Sequence, residues 1–186
     1  MVKFTSKKTK EEARYMEGNE DNIIKLCSFY VSDWHLITML LPYINQKVNE
    51  EVEIATILEK DLNENVKKLV GRLNLNNEEK ILNLNWNKFK ERGKIIYNKD
   101  DKEKILIING KREFVEKINR KIEKYFITHK INGTIKIINC FEITELSGSI
   151  SEILDEHDKV FNTSGEREIE EVFTEYKREE KTKKVI

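Results

Sequence analysis

The sequence predicts an α/β protein, a three-layer sandwich with a mostly parallel sheet between helices. Three observations carry this. Several short runs are apolar nearly without polar alternation, as in "KILIIN" and "IKIINC". Strands of that kind are covered on both faces. Segments with apolar residues three and four apart lie between those runs, as crossover helices do. The chain has 186 residues, of which 38% are hydrophobic and only one is proline, enough for one domain with a full core.

Taken in order, residues 1–20 read as a charged N-terminal arm, 21–162 as the α/β domain and 163–186 as a C-terminal helical tail. The run 23–30 is the first strand. Ser32 or Asp33 caps the next helix by accepting a backbone N–H bond. Ile37, Leu40, Leu41, Ile44 and Val48 give that helix its apolar face, and Pro42 is expected to kink it. Residues 52–58 form a second strand. Asp61 then caps a helix bearing Leu62, Val66, Leu69 and Leu73. The run 80–86 reads as a third strand, and 95–97 as a short extension or edge strand. Residues 105–108 are a buried strand, followed by a helix over 111–126 with Phe114, Ile118, Ile122 and Phe126 four apart. Asn132-Gly133 turns the chain into a strand over 134–141. Ile150, Ile153, Leu154, His157 and Phe161 mark one more helix. Ile169, Val172, Phe173 and Tyr176 mark the last, an amphipathic stripe on a charged segment.

Charge narrows the function classes. Lys+Arg and Asp+Glu are both 34, so no net field steers the chain to nucleic acid or to a membrane surface. The basic arm "KFTSKKTK" carries no recognition helix or aromatic platform. No apolar run reaches membrane-spanning length. Cys27 and Cys140 both lie in apolar runs with no C-x-x-C pairing, which reads as reduced thiols in a cytoplasmic protein.

Few motifs carry chemistry. No glycine pair has the spacing of a P-loop. "NGKRE", Asn109 to Glu113, stands between a strand and a helix, where Lys111 and Arg112 would support an anion; an ordinary turn with exposed basic residues is the favoured account. Cys27 and His35 suggest a nucleophile and base, set against a thiol that packs as a small hydrophobe. His129 and His157 follow no zinc spacing, so no metal site and no cofactor is expected. His157, on the apolar face of its helix, reads as a satisfied, partly buried histidine.

The stretch "LCSFYVSDWHLITMLLPYI" adds a family resemblance. Cys27, Phe29 and Tyr30, followed by a helix with Leu41, Pro42 and Tyr43, resemble the opening of the MEDS family, the sensory domains of methanogen and methylotroph regulators. "FVEKINRKIEKYFITHKINGTIKIINCFEI" is similar to that family's helix, glycine turn and penultimate strand. Glu156, His157 and Asp158 match its acidic-aromatic-acidic cluster. The likeness spans about residues 22–162 and implies a RecA-like core without a P-loop, serving as a non-catalytic sensor.

The expected function is therefore a regulatory domain that binds a small ligand or a signalling partner. In open α/β sheets ligands bind beyond the carboxyl ends of the strands, which nominates Tyr30, Asp33, Trp34, His35 and Glu142 as ligand-binding residues. Ile169, Val172, Phe173 and Tyr176 are nominated for a protein partner or a homodimer contact. Two alternatives stand beside this: a small enzyme using Cys27 or His35, and a structural adaptor that binds protein through its terminal helices.

Overall fold

A computed structural model describes residues 22–90, 102–129, 131, 133–146 and 148–178. The N-terminal arm, the 95–97 edge strand, Asn132 and the end of the tail lie outside these residues.

The chain is α/β, with one six-stranded sheet flanked by helices on both faces. Strands β1 (Ile23–Tyr30), β2 (Glu53–Leu58), β3 (Lys104–Asn109), β4 (Ile135–Glu142), β5 (Lys159–Asn162) and β6 (Gly165–Glu168) lie in the order β2-β3-β4-β1-β5-β6. All neighbours are parallel except β5 and β6, an antiparallel hairpin. Gly165 adopts φ +88° where that hairpin turns, a conformation glycine enters without a Cβ penalty.

The helices are α1 (Asp33–Asn49), α2 (Asn63–Val70), α3 (Glu78–Leu82), α4 (Arg112–His129), α5 (Ile150–Asp155) and the single turn α6 (Ile169–Val172). On one face α1, α2 and α3 bury Leu36, Leu40, Ile44, Val66 and Ile81 against Leu26, Ile107 and Ile138 of the sheet. On the other, α4 and α5 bury Ile118, Ile122, Phe126 and Ile153 against Cys27, Ile108 and Ile137. The period of two in the strands thus divides them between two cores. Each fully buried aliphatic side chain contributes about 1.5–3 kcal/mol.

Four local expectations are corrected. The 80–86 segment is not a strand. Its acidic start, Glu78 and Glu79, opens α3, and Trp86 folds back to donate its Nε1–H to the Ile81 carbonyl at 2.8 Å. Leu82 and Leu84, which gave the alternating pattern, are exposed and half-buried. Phe161 is not helical. Helix α5 closes with Glu156 and His157 amides on the Ile153 and Leu154 carbonyls, and the Asp158 amide then pairs with Lys25 to start β5. Asp61 does not cap α2. It stands two residues before the helix and accepts from the amide of Asn63, the first helical residue, at 3.0 Å, and Leu62 occupies the cap position. The expected C-terminal helix is mostly another structure: β6 takes its first residues and α6 is one turn long. Ser32 does cap α1, accepting from the His35 amide at 3.2 Å. Pro42 sits on the exposed side of α1, which runs continuously through it.

Candidate functional site

Strand order positions the site. After β1 the chain travels through α1 to the β2 edge; after β4 it crosses β1 through α5 to β5. Because α1 and α5 lie on opposite faces, the neighbours β1 and β4 splay their connections apart. A crevice opens at their carboxyl ends, as in other doubly wound sheets.

The crevice has a volume of about 240 Å³. Tyr30 ends β1 and forms its floor together with Phe141. Asn109, the last residue of β3 and fully buried, donates its Nδ2–H to Tyr30 Oη at 2.5 Å and to the Cys140 carbonyl at 3.4 Å. One amide thereby ties the ends of β3, β1 and β4 together. Burial raises the Tyr30 phenol to about 12, against the opposing Asn109 hydrogen bond and Lys60 charge, so the ring presents a neutral hydroxyl at physiological pH.

Lys60, just beyond β2, reaches over this floor. Its ammonium lies 2.5 Å from Asp33 Oδ1, 3.2 Å from Glu142 Oε2 and 5.7 Å from the centre of the Tyr30 ring. Burial works against its charge, but the two carboxylates and the tyrosine outweigh it and raise its pKa. The triad links the α1 start, the β2 end and the β4 end.

On the far side stands the first turn of α4. The Glu59 carboxylate accepts from the Lys111 amide at 2.6 Å, so an internal anion already occupies the positive end of this helix dipole. The approach is close: a Cβ on Gly110 would lie 2.6 Å from Phe114 Cδ1 and 2.8 Å from Glu59 Cβ, so a side chain there would have to displace Phe114 and Glu59. Arg112 is gripped by Glu116 and Glu152, each at 2.7 Å, and by Glu156 at 3.4 Å. The "NGKRE" turn therefore holds its own carboxylates.

Of the nominated ligand-binding residues, Tyr30 and Glu142 line the crevice, and Asp33 supports it through Lys60. Trp34 and His35 do not line it. Trp34 is exposed. The His35 ring is spent locally, its Nδ1 accepting from the Val31 amide at 3.2 Å. Glu59, Lys60 and Glu145 escaped the sequence argument. The strand-end rule that nominated the ends of β1 and β4 points equally to "EK" at the end of β2.

The Cys27–His35 pair does not form. Cys27 faces the α4 side of the sheet and His35 belongs to α1 on the other. Burial raises the Cys27 thiol to about 12, far from the thiolate a nucleophile requires. His157 is buried past the end of α5, with Nδ1 on the Ile153 carbonyl at 2.5 Å and Nε2 on Asn139 Nδ2 at 2.9 Å. Burial lowers it to about 4, so it stands as a neutral core group. The stripe nominated for a partner rests on the chain's own core: Ile169 is buried, Phe173 packs edge-on against Phe29 at 5.9 Å, and Tyr176 bonds to Asp155. Val172 alone of the four remains exposed.

Among the described residues no group of three or more His, Cys, Asp or Glu side chains could hold a metal ion. No helix among them is long and apolar enough to cross a membrane. Comparison of the chain with protein-family models, curated proteins and solved structures returns no match.

Proposed function

We propose that this chain is a non-catalytic regulatory domain that binds a small ligand in the crevice above β1 and β4 and reports the event to a partner protein. The observation that carries this reading is the Lys60 bridge. One ammonium holds three elements at the lip of a cavity. A ligand entering there competes for Lys60, and so changes how the α1 start and the β4 end are held. That is a differential contact of the kind a population shift requires. The MEDS resemblance, with its sensor role and RecA-like core, supports the same reading.

The titration states favour binding over turnover. General acid–base catalysis works best with a group poised near the operating pH, whereas Tyr30 is raised to about 12 and Lys60 is raised as well. Two free, buried thiols, Cys27 and Cys140, accord with a cytoplasmic setting.

Thermal-shift screening of a metabolite library tests the proposal. The expected hit raises the melting temperature of the wild-type chain by mass action and leaves Lys60→Met unmoved. A hit with equal effect on both proteins counts against the crevice. Conversion of the hit by purified protein, followed by mass spectrometry, counts against the non-catalytic role.

A further inference from the structure

The charges around the crevice define its ligand more narrowly. Six charged residues line it, three of each sign: Lys60, Lys111 and Arg112 against Glu59, Glu142 and Glu145. Four are already spent. Lys60 and Glu142 hold each other, Arg112 is held by three glutamates, and Glu59 sits on the Lys111 amide. The Lys111 ammonium and the Glu145 carboxylate remain. Both are exposed, and neither has an ion-pair partner among the described residues. A small cavity thus presents one unspent positive group and one unspent negative group.

We propose, building on the crevice as the binding site, that its ligand is a zwitterionic molecule of amino-acid size, with a carboxylate that reaches Lys111 and competes for Lys60 with Asp33 and Glu142, and an ammonium toward Glu145. Size sets the first limit. A volume of about 240 Å³ lies below the roughly 300–1,000 Å³ of pockets that take drug-sized ligands, which suits a molecule of amino-acid size. Charge sets the second. A phosphate-like dianion would find the Lys111 amide, just before α4, taken by Glu59 and would face the Glu59, Glu142 and Glu145 carboxylates. A diamine would face Lys60, Lys111 and Arg112. A ligand of either single sign leaves one of the two free groups facing a like charge or nothing, whereas a zwitterion satisfies both through charge-assisted hydrogen bonds. The apolar wall of Phe141, Leu146 and the Tyr30 ring suits the aliphatic part of such a molecule.

The test uses the full chain, titrated by calorimetry and thermal shift with each of the twenty L-amino acids. For the best binder, the methyl ester and the N-acetyl derivative each remove one charge; inorganic phosphate and putrescine supply a single sign. The expected result is saturable binding of at least one amino acid, with its ester and its N-acetyl form at least tenfold weaker. Lys111→Glu and Glu145→Lys should each weaken binding at least tenfold. The double exchange, which keeps both signs in the crevice, should recover most of the loss. Phosphate, putrescine or an N-acetyl derivative binding as tightly as the parent overturns the zwitterion assignment, and if that binding still requires Lys60 the crevice stands as the site. No response to any member of the panel also overturns the assignment; the metabolite screen with Lys60→Met then decides the crevice independently.

Discussion

Lys60 and Lys136 each bridge two carboxylates beside a tyrosine, in two places and with different outcomes. Lys60 joins Asp33 and Glu142 at 2.5 and 3.2 Å over the Tyr30 ring. Lys136 joins Glu103 and Glu166, both at 3.0 Å, and the Tyr43 hydroxyl donates to the same Glu166 at 2.8 Å. The Lys136 side chain is 18% exposed and that of Lys60 is 40% exposed. The Lys136 cluster is closed and sews β6 to α1 and β4. The Lys60 cluster borders a cavity and has unspent charges next to it. Identical chemistry acts as a seam where packing shuts out water and as a site where strand ends splay apart. What separates the two is topology, since the crevice lies at the switch between β1 and β4 and the seam does not.

The largest expected effect comes from cutting the seam. Deleting residues 166–186 removes Glu166, leaves Lys136 and Tyr43 without their shared acceptor, and strips Ile169 from the core. Burial of one isoleucine and the loss of two partly buried polar contacts together amount to about 4–6 kcal/mol. Urea denaturation should show a domain that is largely unfolded or aggregated. A truncated domain with an unchanged midpoint would place β6 and α6 outside the cooperative unit.

Acid should weaken the closed parts of the molecule next. The unfolded chain binds a proton at His157 near 6.5 that the folded chain refuses until about 4. The contribution of this group is therefore complete above about pH 6.5 and is lost as pH falls toward 4, by about 3 kcal/mol. Glu166, held below the usual carboxylate range by Lys136 and Tyr43 despite its burial, adds a loss in the same direction at lower pH. His157→Gln should flatten the stability curve between pH 6.5 and 4. An unaltered slope in that variant would assign the acid sensitivity elsewhere.

The two lysines themselves should differ in a smaller but sharper way. Lys136→Ala leaves Glu166 and Glu103 facing each other, partly buried, and should cost about 2 kcal/mol. Lys60→Met removes a more exposed pair and should cost under ~1 kcal/mol, while abolishing ligand response. Equal costs measured by denaturant unfolding would erase the distinction between seam and site.

Much of this architecture is legible in the sequence, for a physical reason. Strands covered on both faces must be apolar throughout, so "KILIIN" and "IKIINC" announce themselves, as does the helical spacing of Ile118, Ile122 and Phe126. Segments set by tertiary contact are not so legible. Leu82, Leu84 and Trp86 alternate like a strand, yet only Trp86 is buried, by folding back on α3. Phe161 falls at helical spacing from His157, but pairing of the neighbouring Asp158 with Lys25 draws it into β5. At the site, the strand-end rule reached Tyr30 and Glu142 because β1 and β4 were recognised. It gave Trp34 and His35 as well, since a sequence does not tell which first-turn residues of a helix lean over a sheet end. Lys60, just past the 52–58 strand, lies within reach of the same rule; its bridge to Asp33 and Glu142, 27 and 82 residues away, is what the sequence hides.

The most direct test of the account is an amide NMR titration of the full chain with the ligand that emerges from screening. Binding in the crevice predicts shift changes at Tyr30, at Glu59 and Lys60, across Gly110 to Arg112, and at Glu142 and Glu145, with Tyr43, Lys136 and Glu166 unmoved. Changes concentrated at the Lys136 seam or along the β2 edge, with Lys60 and Lys111 silent, would contradict it.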